Sequence, residues 1–186
     1  MTCVSCRMAS ATWLCGQCRQ TLAPGSVQLR YDVVVRSCFR HEHAARLLIH
    51  RMKYEAVAGV AGYLAPYLNE VVPADATALV PVPRVVARRW RYGIDQARAL
   101  ASALGRYAEI PVADVLRPQW WVPRRAGRRS THRGVPHFEM RAGIPEGAVL
   151  IDDVVTTGTT IGAASAVTGC QRAVTVTAAL GQSFLR

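Results

Sequence analysis

Residues 149–160, which read Val-Leu-Ile-Asp-Asp-Val-Val-Thr-Thr-Gly-Thr-Thr, constrain the fold more than any other stretch of this chain. The apolar run 148–151 is typical of a buried strand, and the pattern from about Thr160 to Thr168 is typical of a helix. Two carboxylates and several small hydroxyl-bearing residues separate them. Because open parallel sheets bind ligands at the carboxyl ends of their strands, the segment predicts a binding site at the tip of a parallel strand.

The residues at this strand end suit a ligand that carries both hydroxyls and a phosphate. Carboxylates such as Asp152 and Asp153 accept hydrogen bonds from vicinal sugar hydroxyls. Backbone N–H groups, threonine hydroxyls and a helix N-terminus bind phosphate, and the loop that offers them contains Thr156, Thr157, Gly158, Thr159 and Thr160. No Gly-Lys-Ser/Thr follows, so this is not a P-loop. A sugar phosphate is the predicted ligand; phosphoacceptor and magnesium sites also use acid pairs, and a solvated turn before a capped helix is a further alternative.

Strand and helix patterns alternate along most of the chain. Strands are predicted over 27–35, 78–82, 112–116, 148–151 and 173–180, and helices over 41–54, 57–69, 94–107 and 160–168. Such alternation favours crossover connections, so the predicted fold class is α/β, with a mostly parallel sheet flanked by helices. Residues 117–143 lack clear periodicity, and loops of that length are often lids or binding loops.

Two Cys-x2-Cys pairs define a small amino-terminal subdomain. The sequence divides into residues 1–25, a zinc-binding subdomain that ends in an Ala-Pro-Gly turn, and residues 26–186, the larger domain. Four thiolates at this spacing suit a tetrahedral, structural Zn²⁺ site, without which so short a segment cannot fold. Disulfides and an iron–sulfur cluster are the open alternatives. The predicted metal ligands are Cys3, Cys6, Cys15 and Cys18.

The remaining thiols and the amino terminus indicate a reducing compartment. Cys38 and Cys170 lie apart and are expected to be core or surface thiols, and His41 is expected to be an early helix residue rather than a metal ligand. The first residues lack a basic stretch leading into an apolar core, so a cytoplasmic location is expected. No run of roughly 20 apolar residues is present, so no membrane span is expected.

The net charge of +11 indicates an anionic partner, either a phosphorylated small molecule or nucleic acid. Lys53 is the only lysine among 23 lysine and arginine residues, and a G+C-rich genome that replaces lysine with arginine is the alternative explanation. Two arginine groups and a tryptophan pair are candidates for anion or nucleic-acid contacts. They are Arg84, Arg88, Arg89 and Arg91; Arg124, Arg125, Arg128, Arg129 and Arg133; and Trp120 with Trp121.

Several segments together resemble a known family. Residues 149–160 look like the phosphoribosyl pyrophosphate (PRPP) signature of type I phosphoribosyltransferases. Residues 46–54, 80–83 and 91–97, with the cysteine cluster, are similar to the ComF/GntX group, which includes competence proteins. The resemblance covers practically the whole chain. It departs from the group's usual Gly-Phe-Asn-Gln, which stands here as Gly-Ile-Asp-Gln at 93–96.

The resemblance implies a type I phosphoribosyltransferase-like fold that binds PRPP with Mg²⁺. In this interpretation Asp152 and Asp153 are the catalytic residues and hold the ribose hydroxyls, and the 156–160 loop holds the 5′-phosphate. The implied pyrophosphate contacts are Val82, Pro83, Arg84 and Arg89. The implied reaction transfers phosphoribosyl to an acceptor that the sequence does not identify and releases pyrophosphate. A non-catalytic PRPP sensor, and a protein of DNA uptake or repair that binds single-stranded DNA or a competence helicase, are the alternatives.

Overall fold

The computed structural model describes residues 1–54, 57–83, 95–119 and 136–179. The strands are β1 (Val27–Arg30), β2 (Val33–Arg40), β3 (Leu79–Pro81), β4 (Leu116–Pro118), β5 (Phe138–Met140), β6 (Val149–Val155) and β7 (Arg172–Ala178). The helices are α1 (Gly16–Gln20), α2 (His43–Tyr54), α3 (Val57–Val71), α4 (Gln96–Ala108) and α5 (Thr159–Thr168). Within these residues, no helix is both long and apolar enough to cross a membrane.

Five of the strands form one sheet in the order β1-β2-β7-β6-β3. Strands β2, β7, β6 and β3 run parallel, and β1 joins the edge antiparallel to β2. Strands β4 and β5 form a separate antiparallel pair. The alternating pattern therefore predicted the class correctly: the protein is an α/β fold with a mostly parallel sheet packed against helices.

Apolar side chains cover both faces of the sheet. One cluster joins the sheet to α2, α3 and α4, through fully buried residues such as Leu48, Leu64 and Leu100. The other joins it to α5 and to the small sheet, through Leu116 and Phe138. Burying each large side chain stabilises the fold by about 1.5–3 kcal/mol. The strands are thus covered along both faces, and the residues that end them can meet at the carboxyl edge.

The strand predicted over 27–35 is wrong as a single element. Tyr31 and Asp32 have φ angles of 50° and 60° and turn the chain sharply between β1 and β2. Two successive residues with positive φ form the tight turn whose twist matches a β-hairpin. No glycine marks this turn, so the apolar pattern on either side predicts one continuous strand.

Two other predicted strands have different bounds. The strand predicted over 112–116 is wrong: Val112 makes one isolated bridge to Leu79, and β4 begins only at Leu116, in the separate sheet. Strand β6 continues to Val155 instead of ending at Ile151. Both aspartates therefore lie inside the strand, because pairing with β7 continues beyond the apolar residues.

Candidate functional site

The acid pair lies near the carboxyl end of β6, between neighbouring strands β7 and β3. Asp153 lies on the face covered by α2, because Lys53 of that helix reaches its carboxylate. Asp153 is 8% exposed, and Asp152 is half-buried. The two carboxylates differ in burial, although they are adjacent in the chain.

Asp153 forms an ion pair with Lys53, whose Nζ lies 3.1 Å from Oδ2 of the carboxylate. Lys53 comes from the last turn of α2, and its side chain is 26% exposed. An ammonium is a compact point charge, whereas a guanidinium is a planar fork. Lys53 is the single lysine of the chain, which the sequence shows. Nothing in the sequence pattern links it to the acid pair.

Asp152 has surroundings that favour a bound proton. Its Oδ1 accepts a hydrogen bond from the backbone N–H of Asp153 at 2.8 Å. Burial, reinforced by the negative charges of Asp153 and Asp95, raises the pKa of Asp152 well above its usual range, and the N–H donor and Lys53 only partly oppose this. A cation or a hydroxyl-rich ligand at this edge would instead favour the ionised carboxylate.

His41 adds a neutral imidazole beside these groups. Its Nδ1 lies 2.8 Å from Oγ1 of Thr177, and its backbone N–H donates to the carbonyl of Ala178 at 2.8 Å. Burial, followed by the charges of Lys53 and Arg46, lowers the pKa of His41. Since α2 begins at His43, the expectation that His41 is an early helix residue is wrong: it lies in the link between β2 and α2.

The threonine-rich loop leads from β6 directly into α5. Gly158 has φ +82° and precedes the first residue of the helix, a conformation that L-residues rarely adopt. Oγ1 of Thr157 and Oγ1 of Thr159 lie 2.8 Å apart, and Thr156 and Thr157 are exposed. The loop therefore presents hydroxyls and the positive end of a helix dipole to solvent, at the same edge as the acid pair.

The turn of the β1–β2 hairpin packs against this loop. A Cβ on Gly158 would lie 2.7 Å from Cβ of Arg30, and a Cβ on Gly162 would lie 2.7 Å from Cγ of Tyr31. The Tyr31 hydroxyl is 3.4 Å from Oγ1 of Thr159. Sequence reasoning missed Arg30 and Tyr31 as neighbours of the loop, because nothing local links segments so far apart in the chain.

The segment after β3 reaches the same edge. Val82 and Pro83 are buried, and the Val82 N–H donates to the Ile151 carbonyl at 2.9 Å. That N–H is already used, and proline has none, so these two residues offer a ligand only carbonyl groups and shape. Arg84 and Arg89 lie outside the described residues, as do Trp120, Trp121 and the other arginines of both candidate groups.

The four amino-terminal cysteines form a cluster that can hold a metal such as zinc. Their sulfur atoms all lie within 4.8 Å of one another, and those of Cys6 and Cys15 are 3.7 Å apart. Zn–S bonds of about 2.3 Å in a tetrahedron place sulfurs about 3.8 Å apart. Burial by itself would raise the pKa of the Cys3 thiol. Hydrogen bonds from the backbone N–H groups of Cys6, Cys15 and Ser5 outweigh this effect and lower the pKa to about 6. The spacing of the four sulfur atoms therefore fits a metal site.

Cys38 and Cys170 belong to the core and not to this cluster. Cys38 Sγ donates to the Tyr67 carbonyl at 3.4 Å, and burial, with the charge of Glu70, raises its pKa to about 12. Cys170 is also buried. Of the two places expected for these thiols, core or surface, the structure shows the core for both.

The cysteine segment packs on the larger fold. Cys3 and Leu14 belong to the same apolar cluster as α3, and the Trp13 ring lies over Gly59, 2.8 Å from where a Cβ would be. Residues 23–26 then run along the second half of β2. Arg40 N–H donates to the Ala23 carbonyl at 3.0 Å, and Gly25 N–H donates to the Cys38 carbonyl at 2.9 Å.

Two cavities open at the opposite edge of the sheet: one of about 450 Å³ at the amino ends of β6 and β7, and one of about 510 Å³ at the amino ends of β2 and β7. Arg172 lines both and binds Asp75 at 2.6 and 2.8 Å and the Gly147 carbonyl at 2.8 Å. Asp75 is largely exposed. These cavities are separate from the acid pair, and Arg172, which lines both, is paired with Asp75.

No protein-family model and no curated protein matches this chain. The class is defined by the structure itself: an α/β protein with a five-stranded, mostly parallel sheet and an amino-terminal four-cysteine cluster.

Replacing Lys53 with methionine should destabilise the fold by about 1–2 kcal/mol, because it leaves the largely buried Asp153 without this cation. Thermal unfolding measures the change. Lys53→Arg should cost less, since it keeps the charge, and Arg106→Met at an exposed position of α4 should cost little. If Lys53→Met unfolds at the wild-type temperature, or costs as much in an Asp153→Asn background, the ion pair contributes nothing.

Proposed function

We propose that this protein binds PRPP at the carboxyl edge of its sheet and transfers the phosphoribosyl group to a nitrogen acceptor, releasing pyrophosphate. The observation that carries the proposal is that three candidate binding segments meet at the carboxyl edge of the sheet. The acid pair of β6, the 156–160 loop entering α5 and the Val82-Pro83 segment after β3 lie on adjacent strands. The resemblance to the ComF/GntX group supports the same assignment.

Each part of the edge suits one part of the ligand. The carboxylates of Asp152 and Asp153 accept hydrogen bonds from ribose hydroxyls. The loop hydroxyls and the N-terminus of α5 suit the 5′-phosphate. The segment after β3 begins beside β6 and suits the pyrophosphate. We propose that Arg84 and Arg89, which follow this segment in the chain, also contact the pyrophosphate.

The chemistry asks the protein to stabilise two opposite charges. The bond from the anomeric carbon to pyrophosphate breaks, and its electron pair leaves with the pyrophosphate. The ribose gains oxocarbenium character, as in glycoside cleavage, and nearby carboxylates stabilise it. The acceptor nitrogen forms the new bond to carbon and loses its proton to water. Mg²⁺ chelated by pyrophosphate and ribose hydroxyls would neutralise the leaving group, and carboxylate oxygens are ligands that Mg²⁺ prefers.

Titration calorimetry with PRPP, with and without Mg²⁺, tests the binding step. The expected result is saturable binding that weakens when Mg²⁺ is removed. A coupled assay for pyrophosphate, run with a panel of nitrogen nucleophiles that includes the free nucleobases, tests transfer. Absence of PRPP binding would overturn the proposal. Binding with no pyrophosphate release from any acceptor would instead support a sensor.

We infer further that the cysteine cluster binds a structural Zn²⁺. Four thiolates fill all positions of a tetrahedral ion and leave none open for a substrate. The packing of Trp13 on Gly59 and of Leu14 in the α3 cluster supports a bracing role. The zinc would therefore stabilise the fold and take no part in the transfer reaction.

A further inference from the structure

Gln96 is a buried polar side chain without a hydrogen bond. It is 1% exposed, and neither its Nε2 nor its Oε1 has a partner among the described residues. Buried side-chain amides in folded proteins almost always bond to protein or ordered water. Leaving both atoms unpaired costs stability, so the position calls for a physical reason.

The place of Gln96 in the fold accounts for its unpaired amide. It is the first residue of α4, which packs against β3 and β6. It lies on the buried face of the helix with Leu100 and Leu104. Because α4 follows the segment that leaves the carboxyl end of β3, its first turn lies over the carboxyl edge of the sheet.

The residue before Gln96, Asp95, is the N-cap of the helix at this edge. Asp95 caps α4 by accepting a hydrogen bond from the Arg98 N–H at 3.3 Å. The negative charge of Asp95 also contributes to the raised pKa of Asp152. The start of α4 thus lies at the carboxyl edge of the sheet, over the strand that carries the acid pair and the strand that leads to Val82.

We propose that Gln96 contacts the ligand of this edge, with its Nε2 donating to a phosphate oxygen and its Oε1 accepting from a sugar hydroxyl. The proposal rests on the proposed function and extends it by one binding residue. It assigns to PRPP the two bonding groups that the described protein leaves unused.

An amide suits a ligand of mixed character. It offers a donor and an acceptor side by side. PRPP presents phosphate oxygens that accept and ribose hydroxyls that donate, so it can use both atoms of the amide. Pyrophosphate alone presents no sugar hydroxyl and can use only the donor. Gln96 therefore contributes more to PRPP affinity than to pyrophosphate affinity.

Gln96→Met tests the proposal, because methionine keeps the length and volume of glutamine and removes both polar atoms. The unfolding temperature should rise, since two unpaired buried atoms are gone. The Kd for Mg²⁺-PRPP should increase about tenfold or more, while the Kd for Mg²⁺-pyrophosphate changes less. Gln171→Met makes the same change at an exposed position of the opposite edge and should leave both affinities unchanged.

Each other outcome is decisive. A lower unfolding temperature for Gln96→Met would show that the amide has a structural partner, which overturns the proposal. A higher temperature with unchanged PRPP affinity would also overturn it, and it would leave the proposed function intact. If the wild-type protein fails to bind PRPP, the proposed function fails and takes this inference with it.

Discussion

A Cys15→Ser variant is expected to lose its zinc and most of its stability together. Zinc binding contributes about 10–16 kcal/mol in isolated zinc-finger peptides, which is comparable to the whole net stability of an ordinary domain, about 5–15 kcal/mol. Serine supplies no thiolate, and the three remaining sulfurs cannot complete the tetrahedron. Metal analysis of the purified protein and thermal unfolding measure the two losses.

The fold offers a matched control for this change. Cys170→Ser alters a buried cysteine on the other side of the sheet, away from the cluster, and should keep full zinc content. Full metal content in Cys15→Ser would contradict the four-cysteine site. Visible absorption of the wild-type protein would indicate an iron–sulfur cluster, and loss of free thiols would indicate disulfides.

The second large effect concerns the acid pair. Asp152→Asn and Asp153→Asn should each weaken Mg²⁺-PRPP binding, and the double variant should weaken it by at least about 100-fold, because hydrogen bonds to charged groups contribute about 1.5–3 kcal/mol each. Calorimetry measures the affinity. Asp75→Asn changes an aspartate at the opposite edge and should bind PRPP normally. Unchanged affinity in the double variant would refute the ribose assignment.

The two single variants should move stability in opposite directions. The raised pKa of Asp152 means that the folded state disfavours its ionised form, so the wild-type protein loses stability as the pH rises from the unfolded pKa, about 3.9, through the folded pKa. Asp152→Asn should remove this loss and be the more stable protein above about pH 5. Asp153→Asn gives up the Lys53 ion pair and should be less stable. Measuring the unfolding midpoints of the wild-type protein and both variants between about pH 4 and pH 8 separates these effects.

The elements that could be predicted are those whose cause is local. Alternating apolar periodicity revealed the parallel sheet, and cysteine spacing revealed a cluster that can hold a metal. The Val149–Thr160 segment showed a strand, two carboxylates and a helix start in the right order, although the strand continues past Ile151. The strand predicted over 112–116 was wrong because the same apolar run fits either an edge strand or a single bridge, and Val112 forms only a bridge.

The surroundings of the acid pair could not be predicted, because they come from distant parts of the chain. Lys53 reaches Asp153 from the end of α2, and Tyr31 reaches the 156–160 loop from a hairpin whose turn has no glycine. Gln96 is unusual only once its burial is known. Sequence patterns report which face of an element is apolar, but not which charged residue of another element it will meet.

The contacts of residues 23–26 with β2 decide how this protein can be shortened. They pair with the half of β2 that β1 leaves uncovered, immediately before His41. Removing residues 23–26 along with the cysteines would thus leave a row of unpaired backbone groups on β2, and such an edge recruits strands from other molecules. A shortened chain that keeps this edge of β2 covered should therefore begin no later than Ala23.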